Sequence, residues 1–161
     1  MAAASEDALP VPEVRIRPMR DDDIEHVLRV EQASYAFPWS AGIFHDCLRV
    51  GYQCSVLEVG PVLAGYSVLS TGAGEAHLLN LCVRDEFRFR GLGRMLLQHM
   101  MQQARSADAR LIFLETRPSN LAAIRLYHSQ GFVQIGIRKG YYQAVGKRED
   151  AIVMRRALDS E

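Results

Sequence analysis

Four arginines and two glycines crowd the middle of the chain, in the order Arg84, Arg88, Arg90, Gly91, Gly93 and Arg94. Glycine lets backbone N–H groups approach a ligand that a Cβ would obstruct. A helix start adds unpaired N–H donors at the positive end of its dipole. The pattern Arg88-x-x-Gly91-x-Gly93 lies between a strand-like run and a helical one, so it has the layout of an anion site. Only Asp85 and Glu86 oppose the arginines, and the segment 84–94 keeps a net positive charge suited to a polyphosphate. Two common phosphate loops do not fit. A P-loop needs Gly-Lys-Ser/Thr, and Gly93 is followed by Arg94-Met95; a dinucleotide fingerprint needs a third small residue where Leu96 stands. The same spacing also fits a plain strand-to-helix turn.

Two further side chains are placed to move protons. Glu115 closes the apolar run 110–115 on the strand face it shares with Leu111 and Phe113. Partial burial brings a carboxyl toward the range useful for a general base. A glutamate at a strand end can equally be solvated, or paired with Arg117 or Arg138. Tyr127 falls three residues after Ile124 and four after Ala123, which turns it inward on a helix. A phenol is a donor at neutral pH, either to a leaving anion or to a core acceptor. Asn120 reads as the N-cap of that helix. Cys82 is a rival nucleophile that needs His77 or His128 as its base. The five histidines show no ligand spacing such as HExxH, so no metal is expected. Phe37, Trp39, Tyr141 and Tyr142 lie in segments read as loops or strand ends, as partly buried residues or as walls of a groove. Lys139, Lys147 and Arg148 flank the tyrosines and read as a solvated face.

The elements that hold these residues follow from pattern. A length of 161 residues suits one domain, read as 14–161 behind a loose tail at 1–13. With 48% hydrophobic and 24% charged residues, the chain is an ordinary globular protein. Lysine and arginine number 19 and the acids 19, which removes the bulk footprint of a nucleic-acid binder. The N-terminus lacks the basic start and apolar core of a secretory signal, and the longest uncharged stretch, 59–74, is too short and glycine-broken to span a membrane. Three unpaired cysteines agree with a reduced, cytoplasmic setting.

Alternation predicts a strand at 14–18, then a helix behind Asp21, Asp22 and Asp23 that ends near Tyr35. Ser40 caps a second helix with Ile43, Phe44, Cys47 and Leu48 as its buried stripe. Gly60-Pro61 joins strands 52–59 and 62–70 in a hairpin. A strand at 75–83 leads through the arginine loop into a helix to about 106, with Leu92, Met95, Leu96, His99 and Met100 inward. A strand at 110–115, a helix from Ser119 or Asn120 to Gly131, and strands at 132–137 and 151–154 complete an α/β order. It suggests a mixed sheet with helices on both faces.

Arg88-x-x-Gly91-x-Gly93, directly after Leu81-Cys82-Val83, resembles the acetyl-coenzyme A motif of the GNAT N-acetyltransferase superfamily. Asn120-x-x-Ala123-Ile124-x-x-Tyr127-x-x-x-Gly131-Phe132 is similar to the second half of that superfamily. The resemblance spans roughly 14–156. It implies the GNAT fold, a mixed, mostly antiparallel sheet whose two neighbouring parallel strands splay to admit the pantetheine arm of the co-substrate acetyl-CoA. It further implies a bulge or splay at Leu81, Cys82 and Val83 facing that arm, and Asn120 touching it. The pyrophosphate then falls to Arg88, Phe89, Arg90, Gly91, Leu92, Gly93 and Arg94. Ala36-Phe37-Pro38-Trp39-Ser40, Glu115, Tyr141-Tyr142 and Arg148-Glu-Asp-Ala-Ile-Val-Met154 resemble the bacterial RimI group. That likeness implies Glu115 as proton acceptor, Tyr127 as proton donor, and acetylation of the N-terminal alanine of the eighteenth small-subunit ribosomal protein. Phe37, Trp39, Tyr141 and Tyr142 then line the acceptor groove. Cys82 departs from the alanine common at its place. Two other readings stand beside this one: a GNAT enzyme acting on a small amine, and a coenzyme A-binding module without turnover.

Overall fold

Val14, Arg15, Ile16 and Arg17 alternate and form the first strand, β1 (Val14–Pro18). Three aspartates make a 3-10 turn (Asp21–Asp23) that runs into α1 (Ile24–Ser34), and Tyr35 leaves the helix in extended backbone. Ser40 caps α2 (Ala41–Arg49) by accepting from the Ile43 N–H. The hairpin strands are β2 (Gln53–Val59) and β3 (Val62–Gly72), followed by β4 (Glu75–Val83). Then come α3 (Leu92–Ser106), β5 (Leu111–Thr116), α4 (Leu121–Ser129), β6 (Val133–Tyr142) and β7 (Glu149–Ala157). This computed structural model describes residues 11–158. Most of the expected tail lies outside the described residues; 11–13 carry no regular structure. The order of elements is the one the sequence suggests, but β6 and β7 run longer, so Tyr141 and Tyr142 belong to β6.

The seven strands form one sheet in the order β1-β2-β3-β4-β5-β7-β6. Every neighbouring pair is antiparallel except β4 and β5. That parallel pair holds only through Glu75–Leu111, Ala76–Ile112 and His77–Phe113, after which the strands part. Just past that point the β3–β4 register slips: Val68 faces Asn80 while Leu69 faces Leu78. Leu79 is thus the extra residue of a β-bulge.

Helices cover both faces. On one, Val27, Val30 and Phe44 of α1 and α2 pack on Val56, Tyr66 and Val68. On the other, Leu97 and Met100 of α3 and Tyr127 of α4 pack on Leu69, Ile112 and Leu114. Two helix stripes differ from expectation. On α2, Phe44 and Cys47 are buried but Ile43 is exposed. On α3 the inward row is Leu92, Leu96, Met100 and Ala104 with Leu97 and Met101, and Met95 is exposed. The sheet spans the i, i+4, i+8 ridge of α3, and that choice rotates Met95 and His99 toward the rim.

A buried carboxyl ties one face together. Glu31 is 2% exposed. Its Oε1 accepts from Tyr66 Oη at 2.7 Å and Asn80 Nδ2 at 3.0 Å, and its Oε2 accepts from the Trp39 N–H at 2.9 Å. Burial first, then Cys82 and Glu31, push the Tyr66 phenol far up, so it remains a donor. At the sheet edge Arg17 grips Asp23 with two bonds of 2.8 Å, and Asp23 also accepts from the Arg20 N–H. Among the described residues no helix is long and apolar enough to cross a membrane.

Glu31→Ala strands three donors, so urea denaturation is expected to show a loss of about 3 kcal/mol or more. Arg17 holds the Asp23 carboxyl below its ordinary value. The stability it adds is present above the ordinary aspartate range and declines as pH falls through the depressed one. Melting temperatures below about pH 4 should fall more steeply for the native chain than for Asp23→Asn.

Candidate active site

The arginine loop is built to present N–H groups. After β4 a 3-10 turn (Asp85–Phe87) leads into two left-handed residues, Phe89 at φ 63° and Gly91 at φ 77°, before α3 begins. The first bond of the helix runs from the Met95 N–H to the Gly91 carbonyl at 3.1 Å. Among the described residues the N–H groups of 89–94 have no acceptor. Such a run, with a helix dipole behind it, makes an anion-binding concavity. Leu92 is buried and anchors the loop, while Phe89 is fully exposed. A Cβ on Gly93 would stand 3.4 Å from Leu126 Cδ2, so the start of α3 faces α4 here at about van der Waals distance. Arg88 pairs with Asp85 at 3.0 Å and Arg84 with Glu86 at 3.9 Å. Arg90 lies over the Phe87 ring, and neither it nor Arg94 has an acidic partner among the described residues. The net positive charge of the segment therefore sits at the loop and the helix start.

The parted strands lead from this loop to Glu115. The Arg84 N–H bonds to the Ala64 carbonyl, and the Cys82 carbonyl faces β3 so closely that a Cβ on Gly65 would meet it at 2.7 Å. Strand alternation then turns the N–H and C=O of Leu81 and Val83 the other way, toward the gap. Tyr35 Oη donates to the Leu81 carbonyl at 3.3 Å. The Cys82 thiol points instead at α1, 3.4 Å from Ser34 Oγ. Among the described residues neither His77 nor His128 bonds it, and His77 is bonded elsewhere.

That bond is to Glu115. His77 Nε2 lies 2.7 Å from Glu115 Oε1, and the Glu115 side chain is only 8% exposed. The arginines considered as its partners are placed otherwise. Arg117 pairs with Glu149 at 3.0 Å and stacks on the Tyr142 ring, and Arg138 lies over Tyr141. Glu149 also accepts from the Ser119 N–H, and the Ser119 hydroxyl first, then Arg117 and that N–H, hold its carboxyl below the ordinary range. Tyr127 is buried beside Phe132. Burial, then the Tyr142 phenol, pushes its pKa up. Burial also raises Tyr142, with Tyr141 and Glu115 adding to the shift. Asn120 caps α4, accepting from the Ala123 N–H at 3.2 Å.

Of the four aromatic residues singled out for an acceptor, Phe37 and Tyr141 are exposed. Phe37 faces the β6–β7 connection across an open cleft of about 350 Å³ lined also by Gln143, Ala144, Gly146, Lys147 and Arg148. Tyr142 stands edge-on to Tyr141. Trp39 turns inward onto Phe44 at 5.3 Å, into the α1–α2 core. Spacing in the sequence does not reveal His77 as the partner of Glu115, nor the places of Tyr35, Glu31 and Gly65 around the site. The one signal available was the pair of polar residues, His77 and Asn80, inside an otherwise apolar strand. Among the described residues no group of His, Cys, Asp and Glu is arranged to hold a metal ion.

The sequence profile of the Acetyltransferase (GNAT) family matches residues 18–132. The chain belongs to the GNAT acetyltransferase family. Within it the chain is RimI-like. The ribosomal protein bS18-alanine N-acetyltransferase of Salmonella typhimurium (strain LT2) is 37% identical over 132 residues, 82% of this chain and 89% of that one. The crystal structure of the ribosomal-protein-S18-alanine N-acetyltransferase from Escherichia coli matches with a TM-score of 0.85 at 33% identity, covering 91% of this chain and 95% of that one. Salmonella typhimurium yncA, solved with its cofactor acetyl-CoA, matches with a TM-score of 0.76 over 92% of this chain and 96% of that one, and at 22% identity shares the fold alone. The GNAT sheet, with its one parallel pair, is thus the architecture expected from the sequence motifs.

Gly65 sets how closely β3 holds the end of β4. Gly65→Ala would place a Cβ 2.7 Å from the Cys82 carbonyl and 3.1 Å from Leu96 Cδ1. Overpacking of this kind should cost about 1–3 kcal/mol in denaturant titration, and should weaken coenzyme A binding measured by calorimetry.

Proposed function

We propose that this GNAT enzyme transfers the acetyl group of acetyl-CoA to the N-terminal α-amine of a protein, foremost the N-terminal alanine of ribosomal protein bS18. The observation that carries the reading is the unpaired edge of β4, which runs from a loop of unpaired N–H groups to a shielded carboxyl. The names of the relatives at 37% and 33% identity support the acceptor. A ribosomal substrate sets the work in the cytoplasm.

The residues present suit the co-substrate. The N–H groups of 89–94, with Arg90 and Arg94 unopposed, fit a diphosphate; Arg88 stands at the rim. The outward amides of Leu81 and Val83 offer an arm with amide groups the hydrogen bonds of an added strand. Asn120 keeps its side-chain NH2 group for the same arm. Acetyl-CoA supplies a thioester-activated acetyl group when bound. The protein must then free the acceptor's lone pair, because an α-amine with a pKa of about 7.7–8.0 is mostly protonated at neutral pH. Glu115 is the base for that proton. Tyr127, kept protonated by burial, donates to the departing sulfur. Phe37 and the β6–β7 connection hold the first residues of the acceptor in their cleft, with Tyr141 and Tyr142 at its side and Trp39 supporting the Phe37 segment from below. Both substrates are present together, so transfer is direct.

Initial rates with an alanine-starting bS18 peptide are expected to give intersecting double-reciprocal plots. They should rise from pH 6 to about 8 as the amine deprotonates. Glu115→Gln and Tyr127→Phe should each lower kcat by about 10²–10⁴-fold. Unchanged turnover in both variants contradicts the assigned roles. Labelling of a polyamine in preference to the peptide contradicts the acceptor, and coenzyme A binding without turnover on any amine contradicts the enzyme reading.

A further inference from the structure

We propose that His77 is the proton outlet of the active site, taking through Nε2 the proton that Glu115 collects and passing one to water from Nδ1. The proposal rests on the reading of Glu115 as the base.

The atom balance requires an outlet. An acceptor R–NH3⁺ becomes an amide R–NH–CO–CH3, so its nitrogen loses two protons as the N–C bond forms. The C–S bond breaks, its electron pair leaves on sulfur, and sulfur takes one proton to end as a thiol. One proton is left over in every turnover. If it stays on Glu115, the next ammonium meets a base already occupied.

Glu115 is poorly placed to discharge that proton alone. Its side chain is 8% exposed, and its one hydrogen bond among the described residues is the 2.7 Å contact to His77. The His77 side chain is 36% exposed. It stands on β4 at the last position paired with β5, opposite Phe113, at the apex where the strands part. The imidazole therefore lies between the shielded carboxyl and solvent. It suits the task, because it can accept on one ring nitrogen while releasing from the other. The neighbouring groups do not compete. Arg117 is committed to Glu149 and carries no exchangeable charge, while burial pushes the Tyr142 phenol up and keeps it protonated.

A relay and a mere orienting contact differ in one respect. Glutamine at position 77 can still hydrogen-bond Glu115 but cannot pass a proton. The test measures steady-state acetylation of the bS18 peptide by His77→Ala, His77→Gln and Glu115→Gln, with and without added imidazole. Loss of the outlet is expected to lower kcat by at least about tenfold in both His77 variants, short of the loss from removing the base itself, with KM for either substrate within twofold. Imidazole should restore His77→Ala, whose rescue also shows that it folds, and should leave Glu115→Gln inactive. A native kcat in His77→Gln, or a slow His77→Ala that imidazole does not restore, overturns the outlet while Glu115 remains the base. An active Glu115→Gln overturns the base reading instead.

Discussion

A buried carboxyl must find partners or destabilise the fold, and the partners of Glu31 determine where β4 goes. Asn80 follows the bulge at Leu79 directly, and Glu31 fastens it to α1 together with Tyr66 of β3. From there β4 follows β3 and α1, and its pairing with β5 ends after three residues. The same carboxyl holds the Trp39 N–H, and so fixes the segment that carries Phe37. One side chain thus ties together the strand beside the bulge, its neighbour β3 and the segment that forms one wall of the cleft at Phe37.

An unpaired strand edge is ordinarily a liability, open to pairing with another chain. Here the edge lies inside the sheet, between β4 and β5, and on the proposed reading it pairs with the amide groups of the co-substrate's arm. The two ends of the gap differ in character. At one end stand unpaired N–H groups and unopposed arginines; at the other, the Glu115–His77 pair with Tyr127 and Tyr142 close by. On the proposed reading this polarity orients the co-substrate, phosphates toward α3 and acyl group toward Glu115. The neutral net charge of the whole chain hides it, because Asp85 and Glu86 offset arginines only on one side of the loop.

Much of this was legible in the sequence because it is local. Gly91 signals a left-handed residue before a helix, Asn120 a cap, Gly60-Pro61 a turn, and alternation marks the strands. Contacts between distant elements were not legible. His77 and Glu115 are 38 residues apart, and Asn80 and Glu31 are 49 apart; no periodicity relates them. Nor does a helical pattern say which of two adjacent stripes faces the sheet, which is why Met95 and Ile43 are exposed. Arg117 follows Glu115 by two residues, yet it leaves the strand and pairs with Glu149 across the sheet.

Amide hydrogen exchange with and without acetyl-CoA shows whether the co-substrate lies along the free edge of β4 and the arginine loop. The N–H groups of Leu81, Val83 and residues 89–94, which have no acceptor among the described residues, are expected to exchange fast in the free chain and to become protected when the co-substrate binds. Binding that protects other amides and leaves these unchanged would contradict it.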